Sequence, residues 1–256
     1  MKKIRQAVCL CLVLTGSGMM QASAQGTENR SKDDMLTALG TVRAAYHTNG
    51  KLRFNVLYRY TNENDPSHVL DSLSGNFEID GDNYRCVLDN TETMHNSRYT
   101  IMLFKEDKIM YIAGPGHAGG FEPMQMIDSA LSHISDIKFE QSVSGSGKVL
   151  SVIFPEGLAY KRIDFTVDAA SGYLLKTTYI VKTDQMASPE LNAQTGGNIS
   201  GYDAYARVEA IYSGFTLSNA DASGFDEKNF FTREGKDFTV TDNYKDYKIF
   251  IGTPNL

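Results

Sequence analysis

Apolar residues recur at helical spacing near the start of the chain. Met35, Leu39, Val42 and Tyr46 follow one another at intervals of four, three and four residues, which places them on one face of a helix. Ser31 stands just before them and is a good N-cap residue. The pattern predicts an amphipathic helix that begins after Ser31 and packs through a single apolar stripe.

From Lys51 onward the apolar residues recur with a period of two. Phe54, Val56 and Tyr58 alternate with polar residues, which is typical of a strand with one buried face. Turn residues such as those of the Asp80–Asn83 tetrapeptide separate this strand from others with the same alternation. Further strands are predicted over 74–80, 83–89, 98–105, 108–113, 137–143, 148–154, 160–167, 173–182 and 204–215.

A second helix is predicted between the fifth and sixth strands, because Ile127 and Leu131 recur at helical spacing after Pro123. The preceding stretch GPGHAGGFEP lacks the residue order of a phosphate-binding loop, so it is predicted to be a flexible connector. The tail from Asp221 carries seven aromatic residues. We expect so apolar a tail to dock on the sheet.

Short links between consecutive strands favour antiparallel pairing. The predicted fold class is therefore α+β and mostly β, with about ten strands in a strongly curved antiparallel sheet, or unclosed barrel, capped by amphipathic helices.

Two of the predicted strands are apolar on both faces. In the strands at 98–105 and 108–113, Ile101 and Leu103 stand at odd positions, whereas Met102 stands at an even one. A sheet with one face in water does not need apolar residues on both sides. We expect one face of these strands to be covered by a helix and the other by another element, a partner or a ligand.

The first 24 residues are typical of a secretory signal, with early cations, a short apolar run and the sequence Ala22-Ser23-Ala24. Residues 25–256 are then predicted to form a single domain with a C-terminal tail, exported to the periplasm. The apolar run is too short to span a membrane, and no later segment is suited to that role. Of three cysteines only Cys86 lies outside the signal, and its place in an alternating strand indicates a buried, unreactive thiol.

Charge and motifs argue against several functions. The formal charge of −6 becomes −9 without the three cations of the signal, so nucleic acid is not an expected partner. The five histidines lie in separate segments without the spacing of metal ligands. No catalytic motif is present. The sequence predicts no enzyme activity, no cofactor and no metal site.

In its order of elements the chain resembles the LolA/LolB superfamily of periplasmic lipoprotein carriers. The residues that carry the resemblance are FNVLYRY, SGNFEIDGDNYRCVLDN, TIMLFKEDKIMYI, KRIDFTVDAASGYLLKTTYIV and FDEKNFFTREGKDFTV. The resemblance implies an unclosed antiparallel barrel whose helices cap a hydrophobic cavity.

The leading hypothesis is a carrier that holds acyl chains of a lipid or lipoprotein in this cavity. The candidate cavity residues are Phe54, Val56, Tyr58, Phe77, Ile79, Tyr84 and Leu88, with Ile127 and Leu131 on the covering helix. The alternative is a non-catalytic component of a cell-envelope assembly that has the same fold with a filled cavity. Tail residues such as Tyr247 and Phe250 would then contact a protein partner.

Overall fold

The computed structural model describes residues 27–46, 51–115, 134, 136–145, 147–186, 201–218, 222–253 and 256. Within these ranges the chain forms one α-helix, α1 (Lys32–Tyr46), and fifteen strands. The strands are β1 (Glu28–Arg30), β2 (Lys51–Asn62), β3 (Asp65–Asp80), β4 (Asn83–Leu88), β5 (Thr91–His95), β6 (Thr100–Phe104), β7 (Ile109–Ala113), β8 (Lys138–Ser144), β9 (Gly147–Ile153), β10 (Tyr160–Asp168), β11 (Leu174–Lys182), β12 (Tyr205–Ser218), β13 (Phe231–Glu234), β14 (Asp237–Val240) and β15 (Lys248–Ile251).

Helix α1 begins where the sequence predicts. The Ser31 hydroxyl oxygen accepts a hydrogen bond from the backbone N–H of Asp34 at 3.2 Å, and the Asp34 carboxylate accepts one from that hydroxyl at 2.8 Å. This cap satisfies an amide of the first turn, and its hydrogen bonds lower the pKa of Asp34. All four residues of the predicted apolar stripe are buried.

Thirteen of the described strands form one sheet in the order β1-β8-β9-β10-β11-β12-β2-β3-β4-β5-β6-β7-β15. Neighbours in this sheet are antiparallel, except that β15 runs parallel to β7. The two end strands, β1 and β15, do not pair with each other, so the curved sheet is not closed. The predicted fold class is confirmed, with thirteen strands in place of about ten.

Strand β5 is absent from the predicted strands. Glu92 occupies one of its buried positions. Because a charged residue is normally assigned to the solvent face, the sequence of β5 does not show an apolar alternation. Its burial is possible because Arg85 and Lys105 pair with it, at 2.6 and 3.1 Å. Strand β3 also begins earlier than predicted, at Asp65, where its residues are largely exposed.

The described residues form two hydrophobic cores on opposite faces of the sheet. We call the face that α1 covers the inner face and the opposite one the outer face. The inner core joins α1 to side chains of β2, β3, β4 and β8 to β12. The tail core lies on the outer face of β5 to β7, where the C-terminal tail covers Met94, Ile101, Leu103, Met110 and Ile112. The predicted docking of the aromatic tail is thereby confirmed.

Polar contacts also attach the tail to the sheet. The side-chain amide of Asn96 donates to the backbone oxygen of Phe225 and to the carboxylate of Glu227, both at 2.9 Å. Lys51, which is 4% exposed, lies 3.7 Å from the Glu78 carboxylate and 5.0 Å from the centre of the Phe225 ring. The start of the tail is thus held at several points besides its apolar contacts.

Several predictions concern residues outside the described ranges. These are the signal sequence, the connector from residue 116 and the second helix with Ile127 and Leu131. Among the described residues, no helix is long and apolar enough to cross a membrane.

Candidate ligand-binding face

Five of the predicted cavity residues lie inside the inner core. Phe54, Val56, Phe77, Ile79 and Tyr84 are between 2% and 7% exposed, and all belong to the cluster that includes the apolar stripe of α1. They share the inner face because the register places Phe54 opposite Phe77 and Ile79 opposite Tyr84. The sequence therefore identified one continuous face.

Aromatic rings fill this part of the inner face. Phe54 and Phe77 stack with ring centres 5.2 Å apart, and Phe215 stacks on Phe54 at the same distance. Tyr46 of α1 meets Phe54 edge to face at 5.9 Å, and its hydroxyl accepts a hydrogen bond from the backbone N–H of Leu174 at 3.2 Å. These contacts close the space between α1 and the sheet with the protein's own side chains.

Tyr58 and Leu88, the other two predicted cavity residues on strands, lie at the border of the inner core and are only partly buried. A Cβ atom at Gly75 would overlap the side chain of Leu88 and the carbonyl oxygen of Val87. The absence of a side chain at Gly75 therefore lets Leu88 lie across β3. This border leads from the filled core toward β5, β6 and β7.

Beyond the border, the inner face of β6 and β7 carries Met102, Phe104, Ile109 and Tyr111. The register pairs Met102 with Tyr111 and Phe104 with Ile109, so the four side chains share this face. Each is partly exposed, and none belongs to either described core. We call these four residues the open apolar patch.

The apolar residues on both faces of β6 and β7 now have a structural explanation. Ile101 is opposite Ile112, and Leu103 is opposite Met110, all on the outer face beneath the tail. Sequence parity alone does not show this grouping, because the turn between the strands decides which odd and even positions meet. Among the described residues, the tail covers the apolar side chains of the outer face. The apolar side chains of the inner face form the open apolar patch.

Two ionisable groups of the inner face, Cys86 and His95, have pKa values that are shifted toward their neutral forms. Burial raises the pKa of the Cys86 thiol to about 12, which agrees with the predicted unreactive cysteine. The His95 ring stacks on Tyr84 at 5.2 Å, its Nδ1 lies 2.9 Å from the Thr100 hydroxyl, and burial lowers its pKa. The described residues include no group of three His, Cys, Asp or Glu side chains that could hold a metal ion.

Sequence reasoning selected the filled part of the inner face and omitted the open apolar patch. A signal for the patch was present in the double-sided apolar pattern of β6 and β7. That signal could not say which of the two faces the chain itself would cover, because the tail that covers the outer face begins more than a hundred residues later.

No protein-family model matches the chain, and no curated protein matches it. Similar solved structures include an uncharacterized conserved protein from Thermus thermophilus, with TM-score 0.43 and 10% identity over 81% of this chain and 98% of that one. A LolA superfamily protein from Nitrosomonas europaea has TM-score 0.33 and 12% identity over 76% and 98% of the two chains. The Mycobacterium tuberculosis lipoprotein LppX has TM-score 0.33 and 10% identity over 74% and 100%.

Proposed function

We propose that this protein is an exported, periplasmic, non-enzymatic carrier that holds acyl chains of a lipid or lipoprotein on the inner face of its sheet. The observation that carries the proposal is the open apolar patch. Four apolar side chains lie together on the inner face of β6 and β7, partly exposed and outside both described cores. An apolar surface of this kind is a common feature of ligand-binding grooves.

An acyl chain suits this surface energetically. Each methylene group removed from water contributes about 0.8 kcal/mol, so a long chain in contact with the patch gains several kcal/mol. Met102 adds a flexible, polarisable side chain that can adapt to chains of different shape. The patch therefore favours apolar ligands that have no fixed shape.

The predicted cavity residues keep a role in this proposal. Phe54, Phe77 and their buried neighbours form the rigid wall beside α1, while Tyr58 and Leu88 border the space that the ligand would occupy. The segment that holds Ile127 and Leu131 joins β7 to β8. These two strands lie next to the end strands β15 and β1, at opposite ends of the sheet. We propose that these two residues cover the ligand from the open side.

The test is the composition and binding of the purified protein, residues 25–256. Mass spectrometry of an organic-solvent extract is expected to find acyl lipid in near-stoichiometric amount, and a fluorescent sixteen-carbon fatty-acyl probe is expected to bind. An extract without lipid, together with failure of the probe to bind, would contradict the carrier function.

A pair of variants localises the binding. Phe104→Asp places a charge in the open apolar patch and is expected to weaken probe binding by about tenfold or more, since an unpaired charge is costly in an apolar contact. Leu57→Asp is the matched control, because Leu57 is 40% exposed and lies on the outer face. Equal binding by both variants would place the ligand elsewhere.

The alternative function, a component of an envelope assembly, is favoured by the surface of β15. Phe250 and Ile251 are 51% and 45% exposed on this end strand of the sheet. Tyr247 packs against the tail core instead, so Phe250 is the better candidate contact. Site-specific photo-crosslinking from position 250 in the cell envelope should yield one defined adduct if this alternative is correct. Absence of any adduct, with lipid present in the extract, would leave the carrier function.

A further inference from the structure

Three tyrosines lie together on the inner face, beside the border of the inner core. Tyr58 is on β2, Tyr160 on β10 and Tyr179 on β11, and each is partly buried and packed against the inner core. The register places Tyr58 opposite Ala210, and Ala210 opposite Thr177. Tyr179 is two residues beyond Thr177 on β11, so it points to the same face as Tyr58. The structure thus places three phenol groups around small side chains.

Tyr179 lies near both other tyrosines of the cluster. The rings of Tyr160 and Tyr179 have centres 6.4 Å apart. The inner face between Tyr58 and Tyr179 carries the side chains of Ala210, Thr177 and Val208. The Thr177 hydroxyl lies 3.4 Å from the hydroxyl of Tyr212, whereas the hydroxyls of Tyr58 and Tyr160 have no hydrogen-bond partner among the described residues.

The cluster is kept uncharged. Burial raises the pKa of Tyr58 to about 12 and also raises the pKa values of Tyr160 and Tyr179. The pKa values of Tyr58 and Tyr179 are influenced by other tyrosines and by Cys86. No Lys, Arg, Asp or Glu is among the groups that shift them. The three hydroxyls are therefore neutral hydrogen-bond donors and acceptors at any physiological pH.

The cluster is continuous with the open apolar patch. On β2, Tyr58 follows Val56, and the row of Val56 runs across the sheet through Gly75, Leu88 and Thr91 to Phe104. A chain lying along Leu88 and Phe104 would therefore reach Tyr58 at its other end. Apolar side chains would contact the hydrocarbon, and the tyrosine hydroxyls would contact the polar end of the ligand.

We propose that Tyr58, Tyr160 and Tyr179 bind the polar end of the ligand by donating hydrogen bonds to an uncharged carbonyl, so that the protein selects acyl chains in ester or amide linkage over free fatty acids. This inference rests on the proposed carrier function and adds the class of lipid to it. A carbonyl oxygen accepts hydrogen bonds from neutral hydroxyls without bringing a charge out of water. A free carboxylate would have to give up its hydration where the cluster provides no cation.

The experiment compares two ligands with the same sixteen-carbon chain. Monopalmitoylglycerol and palmitate each displace the neutral apolar dye N-phenyl-1-naphthylamine from residues 25–256 at pH 8. The wild-type protein is expected to prefer the glycerol ester by about tenfold or more, the combined effect of several neutral hydrogen bonds. In the triple variant Tyr58→Phe, Tyr160→Phe, Tyr179→Phe the preference is expected to fall to about threefold or less, with dye binding retained.

Tyr99→Phe serves as the matched control. The Tyr99 hydroxyl accepts a hydrogen bond from Arg233 at 3.0 Å in the tail core, on the outer face, so its loss should leave ligand preference unchanged. Thermal unfolding of each variant shows whether the fold is kept, and single Tyr→Phe variants replace the triple variant if it unfolds.

The outcomes separate the two proposals. If the dye and both ligands bind but the ester is not preferred, or if the preference survives all three Tyr→Phe changes, the tyrosine assignment is overturned and the carrier function stands. If neither dye nor ligand binds the wild-type protein, the carrier function fails and the tyrosine assignment fails with it.

Discussion

The inner core and the smaller tail core are assembled in different ways. The inner core joins α1 to the alternating residues of strands that the sequence pattern predicts, beginning with β2 just after the helix. The tail core joins β5, β6 and β7 to aromatic residues from position 225 onward. One core follows from local periodicity, whereas the other depends on contacts between distant parts of the chain.

This difference bears on function because the two faces of β6 and β7 differ in how far they are buried. On the outer face the tail buries Ile101 and Met110 completely. On the inner face Met102 and Tyr111 lie beyond the inner core and stay partly exposed. The protein thus has one apolar surface that it covers with its own tail and another that stays partly exposed among the described residues.

Removal of the tail, residues 222–256, is expected to have the largest effect of the changes considered, because it removes one side of the tail core. The outer face of β5 to β7 would become exposed as a contiguous apolar surface, which promotes association. Size-exclusion chromatography should show aggregates or no soluble protein. A truncated protein that stays monomeric with an unchanged melting temperature would show that the tail core contributes little to folding.

A single large-to-small substitution tests the tail core more finely. Phe231→Ala is expected to lower the free energy of unfolding by about 3–5 kcal/mol, since Phe231 is 2% exposed. Phe250→Ala makes the same chemical change at a side chain that is 51% exposed and should cost less than about 1 kcal/mol. Urea denaturation measures both values, and similar losses for the two variants would contradict the burial of Phe231.

A substitution at Gly75 tests the border of the inner core. Gly75→Ala is expected to destabilise the protein by about 1–3 kcal/mol, because the new Cβ atom would displace Leu88 and meet a backbone oxygen. Gly40→Ala is the control: Gly40 lies in α1 with no atom close to the added Cβ, so the change should stabilise by about 0.5–1 kcal/mol. Destabilisation by both, or by neither, would be evidence against the close approach at Gly75.

The smallest expected effect is a dependence of stability on alkaline pH that arises in the inner core. Burial raises the pKa values of Tyr46 and Tyr212 above the ordinary value of 10.0. Below pH 10 these phenols are protonated in both states and pH has little influence through them. Above pH 10 they ionise only in the unfolded chain, so stability falls by about 1.4 kcal/mol per pH unit for each buried phenol.

Urea denaturation between pH 9 and 11 measures this slope. The double variant Tyr46→Phe, Tyr212→Phe should lose that part of the slope, while a variant in the tail core such as Tyr99→Phe should keep it. An identical slope in the double variant and the wild-type protein would contradict the assignment.

Local interactions made much of the fold predictable. The stripe of α1, its Ser31 cap and the alternation in β2 all depend on residues close in the sequence, and so does the turn at Gly81, whose φ of 58° suits glycine. The predicted cavity residues on the strands also proved to share one face, because side chains alternate strictly along a strand. The pattern therefore identified the elements and their buried sides.

Tertiary contacts decided the rest. Glu92 is buried only because Arg85 and Lys105 reach it from neighbouring strands, so β5 could not be recognised from its own residues. The choice of the outer face for the tail, and with it the position of the open apolar patch, depends on which distant segments fit together. Periodicity records that a residue is apolar, but only the packing of the whole chain determines whether another part of the protein covers it or a ligand can.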